Sequence, residues 1–317
     1  MKHEEGEGYS NMLAAMMLTG PEVPPSTYAP ELTPAWPVTD LAAFRAELAQ
    51  WLHDSWDTSM TVREWWARMA AAGLTMPTWP RTAGGISAPT VVQQLIEREF
   101  ASAGLVGPPL RGGSLRLIGP ALRQHTTPQQ AERMLRPLMR GEHTWCVLVA
   151  EHDADLSDIE TTAVLDGSTY SLTGGKVWVA EAQDADWAFV LARTDRTAHV
   201  KRGLTCFAVD MVHEGVSMTD ARAKPRLVKF DAVPASRDDA IGGVGAGWAV
   251  AQTVVAHMQT SLAGRIRRGV VDVAPGPNAG NLDRTVGEVI AAHQPRPKRQ
   301  QRRVEPGSDR RHSSDFT

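Results

Sequence analysis

Side chains able to do chemistry are few and scattered in this sequence, and most have a plain structural reading. The two thiols, Cys146 and Cys206, lie inside the apolar runs WCVLVA and TCFAVDM. In such a setting a cysteine is a small buried hydrophobe, so both read as free thiols in a reducing, cytoplasmic compartment. One polar cluster is Glu151-His152-Asp153-Ala154-Asp155, where an imidazole stands among carboxylates; a loop histidine of this kind reads as a surface residue. Trp178 belongs to the strand-like run GGKVWVAE, where it reads as part of a β core. Glu288 is the late glutamate that falls in a helical pattern. No residues are expected to hold a metal, and no catalytic residue is assigned.

The elements that must position these residues follow from periodicity. At 317 residues and 42% hydrophobic the chain can bury one large core or two medium ones. A net charge of −3 with both signs interspersed gives no general attraction to nucleic acid or membrane. Glu4, Glu5 and Glu7 precede the short apolar stretch Met12 to Leu18, unlike a signal peptide, and no window has the length of a spanning helix. Residues 1–39 read as a proline-rich lead-in arm. Asp40 can cap a helix with Leu41, Phe44, Leu48, Trp51 and Leu52 on one face, and further helical patterns cover 61–73, 89–104, 114–125 and 127–142, so 40–142 reads as a helical domain. At His143 the period changes to short β-branched and aromatic runs with DG and GG turns, and 143–237 reads as a β domain. Helical spacing returns after Gly247, giving a short C-terminal helical segment over 238–293, and 294–317 reads as a basic disordered tail. The fold class is α+β: an N-terminal helical domain, a middle β-barrel-like domain and a shortened C-terminal helical segment.

That order, joined to particular motifs, resembles the acyl-CoA dehydrogenase family. GGKVWVAEAQDADWAFVLARTD, residues 174–195, is similar to the family's Gly-x-Lys-x-Trp-Ile-Thr signature and the strand that follows it. GEHTWCVLVAEHDADLSDIETTAVLDG, residues 141–167, resembles its strand, acidic Ser-Glu-Pro loop and Asp-Gly hairpin. WPRTAGG, residues 79–85, resembles a turn of its N-terminal domain. The resemblance covers residues 40 to about 262.

It implies FAD-dependent α,β-dehydrogenation of an acyl-CoA thioester, in fatty acid or steroid side-chain degradation. A bound flavin has to be held face-on, the thioester carbonyl polarised, and a carboxylate base set over the α-carbon. By this match Trp178 would stack on the isoalloxazine, with Val179 beside it, and backbone groups of Val147, Val149 and Ala150 would edge the ring. Ala180 replaces the family's threonine and offers only its backbone N–H. The acidic residues 151–155 would repel a pyrophosphate. Where the family carries a Glu-Arg pair on a late helix, this chain has His257-Met258-Gln259-Thr260, and no base is assigned. The resemblance also implies a homo- or hetero-oligomer with another acyl-CoA dehydrogenase-like subunit, and electron-transfer flavoprotein as a further partner. The alternatives are a non-catalytic structural subunit or a truncated inactive product. Apolar positions 250, 254, 255, 258 and 262 form a stripe on one helix, which the sequence leaves without cover, so a partner is expected there.

Overall fold

The computed structural model describes residues 35–110, 114–152, 158–177, 180–220, 227–262, 271, 273–276 and 280–293, with the backbone alone at 180–181 and 258–262. The arm 1–34 and the tail 294–317 lie outside the described residues. Six helices come first: α1 (Leu41–Ser55), α2 (Val62–Ala71), α3 (Thr90–Ser102), α4 (Ser114–Leu117), α5 (Gly119–His125) and α6 (Pro128–Met139). Side chains set their starts. Asp40 accepts from the Ala42 and Ala43 amides at 2.9 and 3.1 Å, satisfying donors that the first turn of α1 leaves open. Thr61 and Thr127 start α2 and α6 through capping boxes with Glu64 and Gln130.

Tryptophan dominates the core of this region. Trp65 and Trp66 are fully buried, and their indole N–H groups donate to the Val106 and Gly107 carbonyls, both at 2.8 Å. An indole can be buried at this depth because its one polar atom has a partner. Phe44 and Leu48 reach the core from α1, but Leu41, expected on the same face, is the first residue of the helix and is 43% exposed.

The middle region is a sheet of β1 (Trp145–Leu148), β2 (Thr162–Asp166), β3 (Thr169–Val177), β4 (Trp187–Arg193), β5 (Leu204–Asp210), β6 (Val216–Met218), β7 (Leu227–Ser236) and β8 (Ala240–Ile241). Its order is β6-β7-β3-β2-β4-β5-β8, with β1 pairing parallel to β4 off that path. β6 and β7 are absent from the sequence-based reading. β7 buries Val228 and Phe230, then Val233 and Ala235. The alternation slips where Ala232 takes φ 51° and the register against β3 shifts between Leu172 and Gly174, and Pro234 further hides the strand pattern.

After the sheet, α7 (Gly247–Leu262) packs on β5, α4 and α5, burying Val250, Ala251, Val254 and Val255. This corrects the expectation of an uncovered stripe: at 250, 254 and 255 the chain's own sheet and helices cover it, while the side chains at 258 and 262 lie outside the described residues. Residues 271, 273–276 and 280–293 then return to the helical region. Val271 bridges Val106, Val62 N–H donates to Arg284 O at 2.9 Å, and α8 (Val286–His293) lays Val286 and Val289 against the tryptophan core. Here Gly287 N–H donates to Thr58 O at 3.0 Å, and a Cβ on Gly287 would lie 3.0 Å from that same oxygen. Among the described residues no helix is long and apolar enough to cross a membrane.

Leu282 is 2% exposed within this returning segment. Leu282→Ala should therefore lower the unfolding free energy by roughly 2–5 kcal/mol in urea titration. Leu41→Ala, at an exposed position, should stay within about 0.5 kcal/mol of wild type.

Candidate functional site

The described candidate residues Val147, Val149 and Ala150 lie where β1 ends, next to the end of β3. Trp145 starts β1 with both its N–H and its C=O engaged by the Ser114 hydroxyl, at 3.1 and 2.9 Å. Parallel pairing with β4 uses the other edge of the strand, and successive residues of a parallel strand turn their polar groups to alternate edges. Val147 and Val149 therefore present N–H and C=O on the edge facing away from β4. Val149 C=O accepts from Lys176 Nζ at 3.2 Å, and Ala150 C=O from the Val177 amide at 2.9 Å. The second bond joins the end of β1 to the end of β3. It brings Val147, Val149 and Ala150 beside the chain that leads to Trp178 and Val179, which themselves lie outside the described residues. Ala180 opens a short 3-10 turn, Ala180–Gln183, that packs against β1.

Below this junction is a buried ion pair. Lys176 Nζ meets Glu151 Oε1 at 2.7 Å, with side-chain exposures of 0% and 6%. Glu151 also accepts from the Glu160 and Thr161 amides at 2.7 and 3.0 Å. Burial alone would raise the Glu151 carboxyl, but Lys176, Thr161 and the Glu160 amide outweigh it and hold the group below its ordinary value. Burial pulls the Lys176 ammonium down, and Glu151 opposes that shift. Gly174 permits the packing: at φ 147° a Cβ there would lie 2.6 Å from Thr161 Cα. The Lys176 partnership was not read from the sequence, since the two charges are 25 residues apart. His152 next door is exposed, as expected, and both cysteines are free and buried.

A second polar cluster lies between α5 and α7. His125 Nε2 is 2.8 Å from Thr253 Oγ1, and His257 Nδ1 is 2.8 Å from Thr253 O. A carbonyl only accepts, so His257 carries its proton on Nδ1. The Arg123 guanidinium lies 5.5 Å from the Trp79 ring centroid. Glu288, by contrast, is remote from both clusters: it caps α8 by accepting from the Thr285 amide at 3.0 Å.

Known proteins share both regions. The family model for the acyl-CoA dehydrogenase N-terminal domain matches residues 41–142, and that for the middle domain matches 146–227. This chain belongs to the acyl-CoA dehydrogenase family. The acyl-CoA dehydrogenase FadE34 of Mycobacterium tuberculosis is 36% identical over 202 residues, covering 62% of this chain and 28% of FadE34. IpdE1, an acyl-CoA dehydrogenase of the same organism, is 31% identical over 240 residues, covering 68% of this chain and 62% of IpdE1. The chain thus spans less than two thirds of the length of these relatives. Among solved structures, the Tcur3481-Tcur3483 steroid ACAD has a TM-score of 0.52 at 24% identity over 70% of this chain and 62% of its own. An acyl-CoA dehydrogenase from Geobacillus kaustophilus has a TM-score of 0.51 at 23% identity, over 70% and 63%. At these identities the likeness is one of fold.

Burial pushes His125 down to about 4 from an ordinary 6.5. The folded chain holds it neutral while the unfolded chain takes up a proton first, so stability is complete above about pH 6.5 and is lost as pH falls toward about 4. Urea titrations at about pH 7.5 and about pH 5 should show this loss, and His125→Gln should reduce the difference between them.

Proposed function

We propose that this chain binds FAD at the joined ends of β1 and β3 and takes part in the α,β-dehydrogenation of an acyl-CoA thioester with a second subunit. The observation that carries the reading is the Val177-to-Ala150 bond, which sets the strand edge of Val147 beside the segment bearing Trp178. An open edge offering N–H and C=O fits the alternating acceptors and donor on the pyrimidine edge of a flavin. Trp178 would stack on the ring and keep water from it, Val179 would flank it, and the backbone N–H of Ala180 would stand where the family has a hydroxyl donor. The chemistry that a bound FAD supplies is acceptance of the hydride leaving the β-carbon.

In this reading the described residues of this chain bind and orient and do not take the α-proton. Glu151 is held in its ion pair and two amide bonds, and Glu288 is bound to the start of α8. A carboxylate from another acyl-CoA dehydrogenase-like subunit, in a homo- or hetero-oligomer, completes the site. The Tcur3481-Tcur3483 steroid ACAD carries two such names in one structure, which supports a paired assembly and a steroid side-chain thioester as one substrate class. Electron-transfer flavoprotein is the electron acceptor in this reading, and a reducing cytoplasm suits the buried free thiols.

A second reading, a structural subunit without flavin, draws on the carbonyls of Val149 and Ala150 already being engaged and on Ala180 lacking a hydroxyl. The visible spectrum of the purified chain titrated with FAD separates the two. We expect saturable binding with a flavin band that Trp178→Ala weakens; a chain that melts cooperatively and binds no FAD would establish the second reading. The isolated chain should also show acyl-CoA dehydrogenation only at background, because a missing general base costs roughly 10²- to 10⁴-fold in rate. Robust turnover without a partner would overturn the shared-site part of the proposal.

A further inference from the structure

Lys176 and Glu151 form an ion pair of a kind that stability alone does not explain. Desolvating two charges costs more than a surface pair ever returns, and replacing such a pair by apolar side chains is often neutral or stabilising. Here the ammonium is wholly buried and the carboxylate nearly so. What the pair does provide is geometry, because its hydrogen bonds converge on one corner of the fold from several chain segments. Lys176 Nζ reaches Val149 O at 3.2 Å, at the end of β1. Glu151 takes the amides of Glu160 and Thr161 at 2.7 and 3.0 Å, closing the connection that enters β2. Thr161 Oγ1 donates onward to Gly175 O at 3.3 Å, one residue from Lys176 itself. The end of β1, the approach to β2 and the last turnings of β3 are thereby held to one arrangement.

Each backbone group in the proposed cofactor cleft lies within a few residues of this pair. Val149 and Ala150 precede Glu151, and Trp178, Val179 and Ala180 follow Lys176. The pair also decides which polar groups are spent. By occupying Val149 C=O it leaves the Val147 N–H and C=O as the edge groups offered between Ser114 and Lys176. It decides local charge as well, since an uncompensated Glu151 would stand next to Ala150 of the cleft and repel an anionic dinucleotide, whereas Lys176 cancels it at 2.7 Å.

We propose that Lys176 and Glu151 are the positioning pair of the cofactor cleft, fixing the β1 and β3 ends in the register that accepts a flavin. This rests on the reading of the chain as an FAD-binding subunit. Neither residue touches the cofactor; both act through Val149, Ala150 and Val177.

The test separates positioning from stability. Wild type, Lys176→Met and the double variant Lys176→Met/Glu151→Leu are compared for thermal midpoint without cofactor, for FAD affinity by fluorescence titration, and for the visible band of the bound flavin. Lys176→Met should lose both midpoint and affinity, because it strands a buried carboxylate. The double variant should recover the midpoint yet bind FAD at least about tenfold more weakly, as loss of supporting residues behind a ligand site does, with a displaced visible band. Wild-type affinity and spectrum in the double variant would overturn the proposal. Glu151→Gln, which keeps volume and removes the charge, serves if the double variant melts too early to titrate: a tenfold loss supports the pair's role and unchanged affinity overturns it. A wild-type chain that melts cooperatively but binds no FAD defeats the functional reading and this inference together, and that result is visible before any substitution is made.

Discussion

An ammonium group taken wholly out of water has to be answered by charge and by hydrogen bonds, and much of the middle region is arranged around answering Lys176. Its position on β3 dictates that a carboxylate stand directly after β1, that Val149 give up its carbonyl, and that the chain between Glu151 and Thr161 return close enough for two amides to reach the same carboxylate. Gly174 follows from the same constraint, since Thr161 fills the space in which a side chain would stand. These contacts fix where β1 stops and how β3 leaves the sheet. The proposed cleft is at that junction, next to a charge whose described partners are Glu151 and the Val149 carbonyl.

The two ends of the chain are coupled through apolar burial instead. α7 packs with Leu204, Cys206 and Ala208 of β5 and with Leu115, Ala121 and Leu122 of the helical region in one core, and residues 273–276 and 280–293 close the tryptophan core through Val273, Leu282, Val286 and Val289. Arg63 and Asp283 meet at 3.1 Å along this seam, but both are well exposed, and a pair of that kind contributes little beside the four buried aliphatic side chains. Covering α7 from within also moves the case for a partner. The proposal of a second subunit therefore rests on the search for a base and not on uncovered surface at 250, 254 and 255.

Local signals were the legible part of the sequence. Asp40, Thr61 and Thr127 announce helix starts because a cap is decided by residues three apart, and the helices begin at or next to them. β1 to β5 follow from alternation and turn residues. β7 does not, because a bulge at Ala232 shifts its apolar phase by one and Pro234 interrupts the donor pattern. Long-range relations were hidden for a different reason. Nothing near Lys176 says that its counter-charge is Glu151, and nothing in 271–276 has a period that announces contact with Val106 or Thr144. Within the candidate site, the motif grouped Val147, Val149 and Ala150 with residues 178–180 as an expectation, whereas the commitment of the Val149 and Ala150 carbonyls emerges only from the folded arrangement.

The absence of an assigned base can be argued from occupancy as well as from motif. A general base needs a lone pair directed at the proton it removes and a pKa near the working pH. Glu151 fails on both counts, with its oxygens turned inward to Lys176 and two amides and its carboxyl held low. Glu288 is spent on the first turn of α8, in a different region of the fold. His125 lies close to α7, but burial has lowered it to about 4, where an imidazole is a weak proton acceptor, and Thr253 already engages its Nε2. Among these described groups none is set up as a general base, and that is the observation behind the proposal that a second subunit supplies the carboxylate.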